Sequence, residues 1–437
     1  MLQRAMTFMG AAAALALFAG SSFAQDQEPR VASIIHAGRL LADASNGRVL
    51  SEQSILIGAD GNIIGIEAGY VERQGATIID QRNRFVLPGL IDSHVHLTSE
   101  LGPNQIIEEV TLTASDAALR GAEHARITLM AGFTTVADLG APNDSIFALR
   151  RAIAERRVPG PRIIASGSSI TPDGGHGDAN GFSPDVVNVL RSPSACSGAD
   201  ACRRAVRRQI QAGADIIKIT ATGGVLSNTA AGVEQQFSDE ELRAIVEAAH
   251  AMGRQVTAHA HGAGGINAAL RAGVDSIEHG SYTDQESLRL FRRGGAYLVP
   301  TILAGVTVEE MAAQGGVLTP NQAAKAREVG TRMRQSIRNA RRAGVRVAFG
   351  TDTGVSRHGG NAREFQFLVE GGYTPMQALA TATVNAADHL QLGSVAGRIA
   401  PGYSADIIAV DGDPTQDIET LMDVDFVMAR GTVHKDD

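Results

Sequence analysis

The sequence predicts an α/β fold in which a (β/α)8 TIM barrel carries a small, discontinuous β-sandwich domain built from both termini. Two observations predict the barrel. Short apolar runs alternate with helix-like segments from residue 85 onward, and eight such runs can be counted, which is the strand number of this barrel. A third observation predicts the second domain, because further strand-like runs stand at both ends of the chain. We expect the barrel to span residues 85–394 and the β-sandwich residues 25–84 and 395–437.

The first 24 residues are predicted to be a secretory signal peptide. Arg4 supplies a positive charge, Ala11–Ala19 is a short apolar run, and Ser22–Ala24 fits a small-x-small cleavage site. We therefore expect cleavage after Ala24, secretion or export to a bacterial periplasm, and no stable membrane insertion once the signal is removed. An uncleaved membrane anchor is the alternative.

Strand-like runs separated by turn residues precede and follow the barrel. The runs before it are Val31–Ile35, Gly47–Leu50, Ser54–Ile57 and Asn62–Ile66, and those after it are Gly397–Gly402, Asp406–Val410 and Asp425–Arg430. Thr374–Leu392, which lies before the second group, is predicted to be a helix. The later strands are expected to return to the earlier ones, which would leave the barrel inserted into the accessory domain.

Glycines at the ends of helix-like segments support the alternation of helices and strands. Glycine is expected just past a helix C-terminus because it adopts the left-handed conformation without strain. An apolar run follows at once after each of Gly132, Gly213, Gly253, Gly273, Gly295 and Gly344. Together with Phe85–Ile91 and Pro161–Ser166, these runs give the eight predicted strands. Ser238–Glu241 has the pattern of a capping box, which marks a helix start. A doubly wound open sheet is the alternative, but no glycine-rich phosphate loop supports it.

Composition and cysteine usage narrow the class of protein. The chain has 437 residues, of which 44% are hydrophobic and 20% are charged, as is typical of soluble globular proteins. Its net charge is −8 and it has no basic stripe, which argues against a nucleic-acid partner. Cys196 and Cys202 are close in sequence, and we expect them to form a disulfide in an oxidising compartment.

Histidines and one aspartate fall at the ends of the predicted strands. Strand 1 ends in His94 and His96, strand 5 in His259 and His261, strand 6 in His279, and strand 8 in Asp352. In such barrels the active site lies at the C-terminal ends of the strands, and converging imidazoles and carboxylates are metal ligands. For the first pair, two hydrogen-bonded histidines at a strand end are the alternative. By contrast, His124, His250 and His389 are isolated on predicted helices.

Lys218 lies inside the apolar strand predicted for Asp215–Thr220. A buried ammonium group is costly unless it is paired, and burial lowers its pKa. A neutral lysine amine can react with CO2 to give an anionic carbamate, whose two oxygens can bridge two metal ions. A Schiff-base lysine and a structural lysine paired with Asp215 are the alternatives.

Taken together, these motifs resemble the metal-dependent amidohydrolase superfamily. The resemblance extends over essentially all of the mature chain, and the segments that carry it are Pro88–His96, Ile217–Lys218, Thr257–His261, Ile277–Gly280, Gly350–Thr353 and Gly397–Ile408. The position of Lys218 and the loop Thr171–Gly177 are similar to the imidazolonepropionase-like branch. That branch includes Xaa-Pro dipeptidase-like, carboxypeptidase-like and ochratoxin-hydrolysing amidohydrolases.

The resemblance implies a binuclear centre of two divalent metal ions, expected to be zinc. One ion would be held by His94, His96 and Asp352, the other by His259 and His279, and N6-carboxylated Lys218 would bridge the two. His261 is the alternative to His259 as the ligand from strand 5. Asp352 would act first as a base and then as an acid. His176 and His261 would polarise the substrate carbonyl or hold a substrate carboxylate, while a hydrogen-bonded loop histidine is the alternative for His176.

We expect an enzyme that hydrolyses amide bonds of dipeptides or N-acyl amino acids, with ochratoxin A among the possible substrates, through attack by a metal-bridging hydroxide. The substrate would carry a free carboxylate, for which His176, His261 and Arg357 are predicted partners. Tyr282, Arg357 and His358 follow strands 6 and 8 and would either line the pocket or be solvated. The alternatives are a cyclic-amide or lactone hydrolase and a metal-binding scaffold without turnover. A homo-oligomer is expected.

Overall fold

A computed structural model describes residues 30–227 and 232–437, and the predicted signal peptide lies outside the described residues. The strands are β1 (Val31–Leu41), β2 (Val49–Gly58), β3 (Ile63–Ala68), β4 (Thr77–Pro88), β5 (Leu90–Val95), β6 (Phe133–Asp138), β7 (Arg162–Ala165), β8 (Thr171–Pro172), β9 (Ala195–Cys196), β10 (Ile217–Thr220), β11 (Val256–Ala260), β12 (Ser276–His279), β13 (Tyr297–Val299), β14 (Arg346–Val347), β15 (Ile407–Val410), β16 (Phe426–Ala429) and β17 (Thr432–Asp436).

The helices alternate with the strands through the middle of the chain. They are α1 (Gln105–Thr111), α2 (Ala114–Met130), α3 (Asn143–Ala154), α4 (Pro184–Leu190), α5 (Ala199–Ala212), α6 (Asp239–His250), α7 (Ala263–Ala272), α8 (Gln285–Gly294), α9 (Ile302–Gln314), α10 (Pro320–Ala343), α11 (Arg363–Glu370), α12 (Pro375–Ala380) and α13 (Ala386–His389). A π-helical turn, Thr381–Asn385, joins the last two, and Ile418–Met422 is a 3-10 helix. None of the described helices is both long and apolar enough to cross a membrane.

Eight parallel strands form the centre of the α/β fold. They are arranged as a three-stranded sheet, in the order β5-β6-β7, and a five-stranded sheet, in the order β10-β11-β12-β13-β14. Backbone hydrogen bonds link the two sheets on both sides. Asp215 N–H donates to the Ala165 carbonyl over 2.9 Å, and Ser93 N–H donates to the Phe349 carbonyl over 2.9 Å. The predicted alternation of strands and helices is confirmed.

The two ends of the described chain share a seven-stranded sheet, in the order β17-β16-β15-β4-β1-β2-β3. β4 lies at its centre, parallel to β1 and antiparallel to β15. Buried apolar residues on this sheet form a core of their own, which includes Ile35, Ile55, Val86, Ile407 and Phe426. Strands that are distant in sequence are therefore held together by a common core, while the predicted domain boundaries remain predictions.

The predicted first barrel strand, Phe85–Ile91, is wrong in its bounds, because the apolar run divides at Gly89. Gly89 N–H donates to the Asp406 carbonyl over 2.8 Å, whereas Leu90 N–H donates to the Gly132 carbonyl over 3.0 Å. The chain thus passes from the terminal sheet into the parallel sheet at this residue. A Cβ atom there would lie 2.2 Å from Thr134 Oγ1, so only glycine fits.

The predicted strand Gly397–Gly402 is also wrong, since this segment is a loop. Gly397 and Gly402 have φ values of +84° and +85°, which are incompatible with an extended strand. Ile399 N–H donates to the Ala42 carbonyl over 2.9 Å, so the loop still contacts the terminal sheet.

Several local predictions are confirmed. The six glycines that follow helix-like segments all have positive φ, from +69° at Gly253 to +117° at Gly213. Ser238 and Glu241 form the predicted capping box at the start of α6. Cys196 and Cys202 form a disulfide, with their Cα atoms 5.2 Å apart.

Candidate metal centre

The predicted metal ligands converge where the parallel strands end. His94 lies on β5, Lys218 on β10, His259 on β11 and His279 at the end of β12, while His96 and Asp352 follow β5 and β14. His96 Nε2 is 3.1 Å and His94 Nε2 is 3.5 Å from Asp352 Oδ1. Lys218 Nζ is 3.1 Å from His94 Nε2. The ring centroids of His259 and His279 are 4.6 Å apart.

These side chains form two overlapping groups of possible ligands. In the first, His259, His261 and His279 each offer one ligand atom, and these atoms lie within 4.8 Å of one another. In the second, His94, His279 and Asp352 do the same. His279 belongs to both groups, so the two sets of side chains are contiguous. His259 lies on β11 and His261 directly follows it. Both face the cluster, and the geometry leaves the choice between them open.

Hydrogen bonds on the outer side of the cluster orient the imidazole rings. His94 Nδ1 lies 2.8 Å from Glu278 Oε2, His96 Nδ1 lies 2.8 Å from the Gly140 carbonyl, and His279 Nδ1 lies 2.7 Å from Thr301 Oγ1. A ring nitrogen that donates to an outer acceptor leaves the other nitrogen with a lone pair directed inward. This is the arrangement of histidines that bind metal ions in proteins, and the donor set therefore fits divalent transition metals.

Glu278 was not identified as a functional residue from the sequence. It is fully buried, and its Oε1 accepts hydrogen bonds from Thr257 Oγ1 and, over 2.9 Å, from Ser276 Oγ. Burial alone would raise the pKa of Glu278, but the hydrogen bond from His94 and the nearby positive charges lower it below the ordinary value. Glu278 is therefore an ionised partner that holds His94 in place. A carboxylate inside a predicted barrel strand, directly before His279, was the signal that could have revealed it.

Burial sets the protonation of the centre. It lowers the pKa of Lys218 and of His94, and it lowers the pKa of His259 and His279 well below the ordinary histidine value. Burial opposes ionisation of Asp352, but His94 and His96 outweigh it and hold the pKa of Asp352 below its usual range. Burial also opposes protonation of His96, but the contact with Asp352 outweighs it and raises the pKa of His96. The centre thus combines a carboxylate with three buried imidazoles, those of His94, His259 and His279, and an amine whose charged form burial disfavours.

The alternative in which Lys218 pairs with Asp215 is wrong. Asp215 contacts the guanidinium of Arg150 and accepts a hydrogen bond from Ala165 N–H over 3.0 Å. Lys218 instead faces His94 within the cluster. Its position is therefore explained by the site and not by an ion pair on its own strand.

The backbone is strained at the centre. His279 has φ of +69° and Asp352 has φ of +57°, and Thr301, which contacts His279, has φ of +47°. Non-glycine residues in this left-handed region cost about 1–3 kcal/mol each and concentrate at functional sites. The fold thus aims two side chains inward at a cost in stability.

A cavity of about 610 Å³ opens above the cluster. Most of its remaining wall is apolar and includes Leu112, Val225, Leu226, Val308 and Met333. A volume of this size and such a lining are typical of small-molecule sites. Among the described residues, Tyr282, Arg357 and His358 do not line it, so these three do not have the pocket positions considered from the sequence.

His176 and His261 line the cavity as neutral imidazoles. Burial lowers the pKa of His176 to about 4 and the pKa of His261 to about 3. His176 Nδ1 is buried without a hydrogen-bond partner in the described part of the chain, and His261 Nδ1 lies 2.6 Å from Ser281 Oγ. Both rings can therefore donate or accept a hydrogen bond, but they do not supply the positive charge predicted for a substrate carboxylate.

Among the described residues that line the cavity, Arg120 is the one that carries a guanidinium group. Its Nη1 donates to Glu108 Oε2 over 2.8 Å. The sequence did not single out Arg120, because it lies on α2 outside every recognised motif. Arg357, which was predicted to bind a carboxylate, is exposed and lies away from the cavity lining.

Comparisons with known proteins show which family and structures this chain resembles. The family described as the amidohydrolase family matches residues 85–433. An ochratoxinase of Aspergillus niger is 34% identical over 417 residues, which cover 90% of this chain and 83% of that protein. A crystal structure of a Xaa-Pro dipeptidase with methionine bound in its active site has a TM-score of 0.87 and 38% identity, over 92% of this chain and 99% of that one. A prolidase complexed with N-methylphosphonate-L-proline has a TM-score of 0.84 and 32% identity, over 93% and 100% of the two chains.

Proposed function

The chain belongs to the amidohydrolase family and is a hydrolase that acts on amide bonds, and we propose that it is a binuclear metal-dependent enzyme that cleaves dipeptides or N-acyl amino acids. The observation that carries this proposal is the convergence of oriented imidazoles, Asp352 and Lys218 at the base of an apolar cavity. The likeness to a Xaa-Pro dipeptidase and to a prolidase complexed with N-methylphosphonate-L-proline supports dipeptides as the substrate class, and the likeness to an ochratoxinase supports ochratoxin A as a candidate substrate.

The proposal includes the finer architecture. The hydrogen bonds at both sides of the parallel sheets support a closed (β/α)8 barrel within the predicted residues 85–394, with its first strand after Gly89. The sheet that strands β1–β4 share with β15–β17 supports the β-sandwich domain predicted from both ends of the chain. We further propose export from the cell, for which the predicted signal sequence is the support.

Two divalent ions, expected to be zinc, would be held by the clustered side chains. His94, His96 and Asp352 would hold one ion, His259 and His279 the other, and carboxylated Lys218 would bridge them. When bound, the ions supply Lewis-acid activation of a water molecule and of the scissile carbonyl. The lowered pKa of buried Lys218 supports carboxylation, because the neutral amine attacks CO2 and loses a proton as the N–C bond forms.

The side chains of this protein then move protons and orient the substrate. Asp352 is ionised and accepts a proton from the attacking water, which it passes to the leaving nitrogen. His176 and His261 are neutral and line the cavity, so each can donate a hydrogen bond to the substrate carbonyl or carboxylate. The apolar wall accommodates the acyl group.

Arg120 takes the place of Arg357 as the proposed partner of a substrate carboxylate, because it lines the cavity and Arg357 does not. Its ion pair with Glu108 holds the guanidinium at the cavity wall. A carboxylate that reached this position would form a charge-assisted hydrogen bond.

The test compares an N-acyl amino acid with its C-terminal amide. We expect kcat/KM to fall by about tenfold or more when the carboxylate is blocked, since a hydrogen bond to a charged group contributes about 1.5–3 kcal/mol. Arg120→Gln should produce the same loss for the acid and little change for the amide, whereas the matched control Arg357→Gln should change neither. Equal kcat/KM values for the acid and the amide would contradict the proposal.

A second experiment decides between His259 and His261. We expect His261→Ala to lose activity while retaining its bound metal, because the proposal assigns His261 to the substrate. His259→Ala should lose metal. If His261→Ala loses metal instead, the two assignments must be exchanged.

A further inference from the structure

A second cluster of potential metal ligands shares no residue with the proposed binuclear set. Glu100 follows β5, His124 lies on α2, and His358 follows β14. Each offers one ligand atom, and these atoms lie within 4.8 Å of one another. The two rings are stacked, with centroids 4.0 Å apart and an interplanar angle of 17°. The sequence showed His124 as an isolated helix histidine and His358 as a loop residue, and the fold brings them together.

The hydrogen bonds of the two rings define which nitrogens are free. His124 Nδ1 lies 2.8 Å from the Leu97 carbonyl, and His358 Nε2 lies 3.1 Å from the Ser99 carbonyl. Because a carbonyl only accepts hydrogen bonds, both of these nitrogens carry the proton. In a neutral ring the other nitrogen then carries a lone pair, and these are His124 Nε2 and His358 Nδ1.

His358 Nδ1 is buried and has no hydrogen-bond partner within residues 30–227 and 232–437. The residue is 9% exposed. A buried acceptor without a partner is unusual in a folded protein and calls for an unseen ligand.

The carboxylate of Glu100 completes the cluster. Its Oε2 accepts a hydrogen bond from the backbone N–H of His358 over 3.0 Å, which places the acidic group beside the second ring. Two imidazole nitrogens and a carboxylate oxygen form a ligand set that suits divalent transition metals. Histidines that donate their second nitrogen to a backbone carbonyl are the form in which proteins hold such ions.

We propose that Glu100, His124 and His358 form a further site for a divalent transition-metal ion, separate from the binuclear centre. The ion would link three segments through its ligands: the loop after β5, helix α2 and the loop after β14. The two loops already pair through backbone hydrogen bonds, from His96 N–H to the Thr353 carbonyl over 2.7 Å and from Leu101 N–H to the Gly354 carbonyl over 2.6 Å. An ion here would therefore brace the loops that carry His96 and Asp352.

The experiment counts zinc in the full chain and locates it. Chelator-stripped protein is dialysed against zinc chloride, zinc per chain is measured by atomic spectroscopy, and crystals are examined by anomalous scattering at the zinc edge. We expect Glu100→Gln and His124→Gln each to lose one zinc ion per chain relative to the unmodified protein. The control His434→Gln, on the terminal sheet, should lose none.

The anomalous map separates this site from the binuclear centre. We expect a zinc peak among Glu100, His124 and His358 that disappears in crystals of Glu100→Gln, while density beside His94 and Asp352 persists. Glu100→Gln retains the shape of the side chain, so a folded variant is expected. The inference is overturned if the centre fills while no peak forms at the second cluster, or if Glu100→Gln and His124→Gln bind as much zinc as His434→Gln.

Discussion

The substitution Glu278→Gln tests whether the hydrogen bond to Glu278 orients His94, on β5, towards the metal centre. Glu278 Oε2 lies 2.8 Å from His94 Nδ1, while its Oε1 accepts hydrogen bonds from Thr257 and Ser276. In the glutamine variant, the amide oxygen keeps the hydroxyl contacts and the amide nitrogen then faces His94. Two N–H groups would point at each other, so the ring is expected to move its proton to Nε2. That nitrogen would no longer present a lone pair to the centre.

The expected loss of metal affinity follows from the movement of this one proton on the His94 ring. Mutation of a group that orients a metal-bound histidine lowers metal affinity by about 10–100-fold, which corresponds to about 1.4–2.7 kcal/mol. Bound zinc is measured by competition with a chromogenic chelator, and kcat/KM for an N-acyl amino acid is measured at limiting zinc. We expect both quantities to fall together.

Glu364→Gln is the matched control. Glu364 also has a fully buried carboxyl group, but it accepts hydrogen bonds from the backbone N–H groups of Ile302 and Leu303, over 2.9 and 2.6 Å, rather than from a histidine at the centre. It should retain zinc affinity even if its free energy of unfolding changes. The reasoning is refuted if Glu278→Gln retains zinc affinity within about twofold of the unmodified protein, well short of the expected loss.

Three further outcomes are expected. Lys218→Ala should lose most bound metal and activity, with partial recovery on adding short carboxylic acids; full activity without added acid would exclude the bridging role. Replacing Cys196 and Cys202 with serine should lower the free energy of unfolding by about 2 kcal/mol, as expected for a separation of 6 residues; an unchanged urea midpoint would disprove this. Burial lowers the pKa of His389, so its unfolded form binds more protons and stability is lost as pH falls below about 6.5. His389→Leu should reduce that slope, by up to about 1.4 kcal/mol per pH unit, and an unchanged slope would contradict it.

Local signals in the sequence predicted where helices and strands lie better than they predicted which strands pair with one another. The positive φ of Gly213 and the capping box at Ser238 are set by short-range backbone chemistry. The run Phe85–Ile91 is apolar throughout, so its pattern could not show that it serves two sheets. The division depends on Gly89 packing against Thr134, which is a contact between residues distant in sequence.

The candidate site shows the same limit. His94 and Lys218 were predicted because their types are unusual on buried strands, and the fold brings them within 3.1 Å of each other. Arg120 lies on a helix with no motif, so only the folded cavity reveals it. His124 and His358 are far apart in sequence, and their stacking required the tertiary structure.

The most direct test of the central claim is amide hydrolysis by one preparation before and after metal removal. Zinc-loaded protein is assayed with a panel of Xaa-Pro dipeptides, N-acyl amino acids and lactones, then stripped with a chelator and reloaded. We predict that at least one dipeptide or N-acyl amino acid is cleaved, that the stripped protein is inactive, and that added zinc restores the rate. Unchanged hydrolysis by the stripped protein, or turnover of lactones alone, would contradict the account.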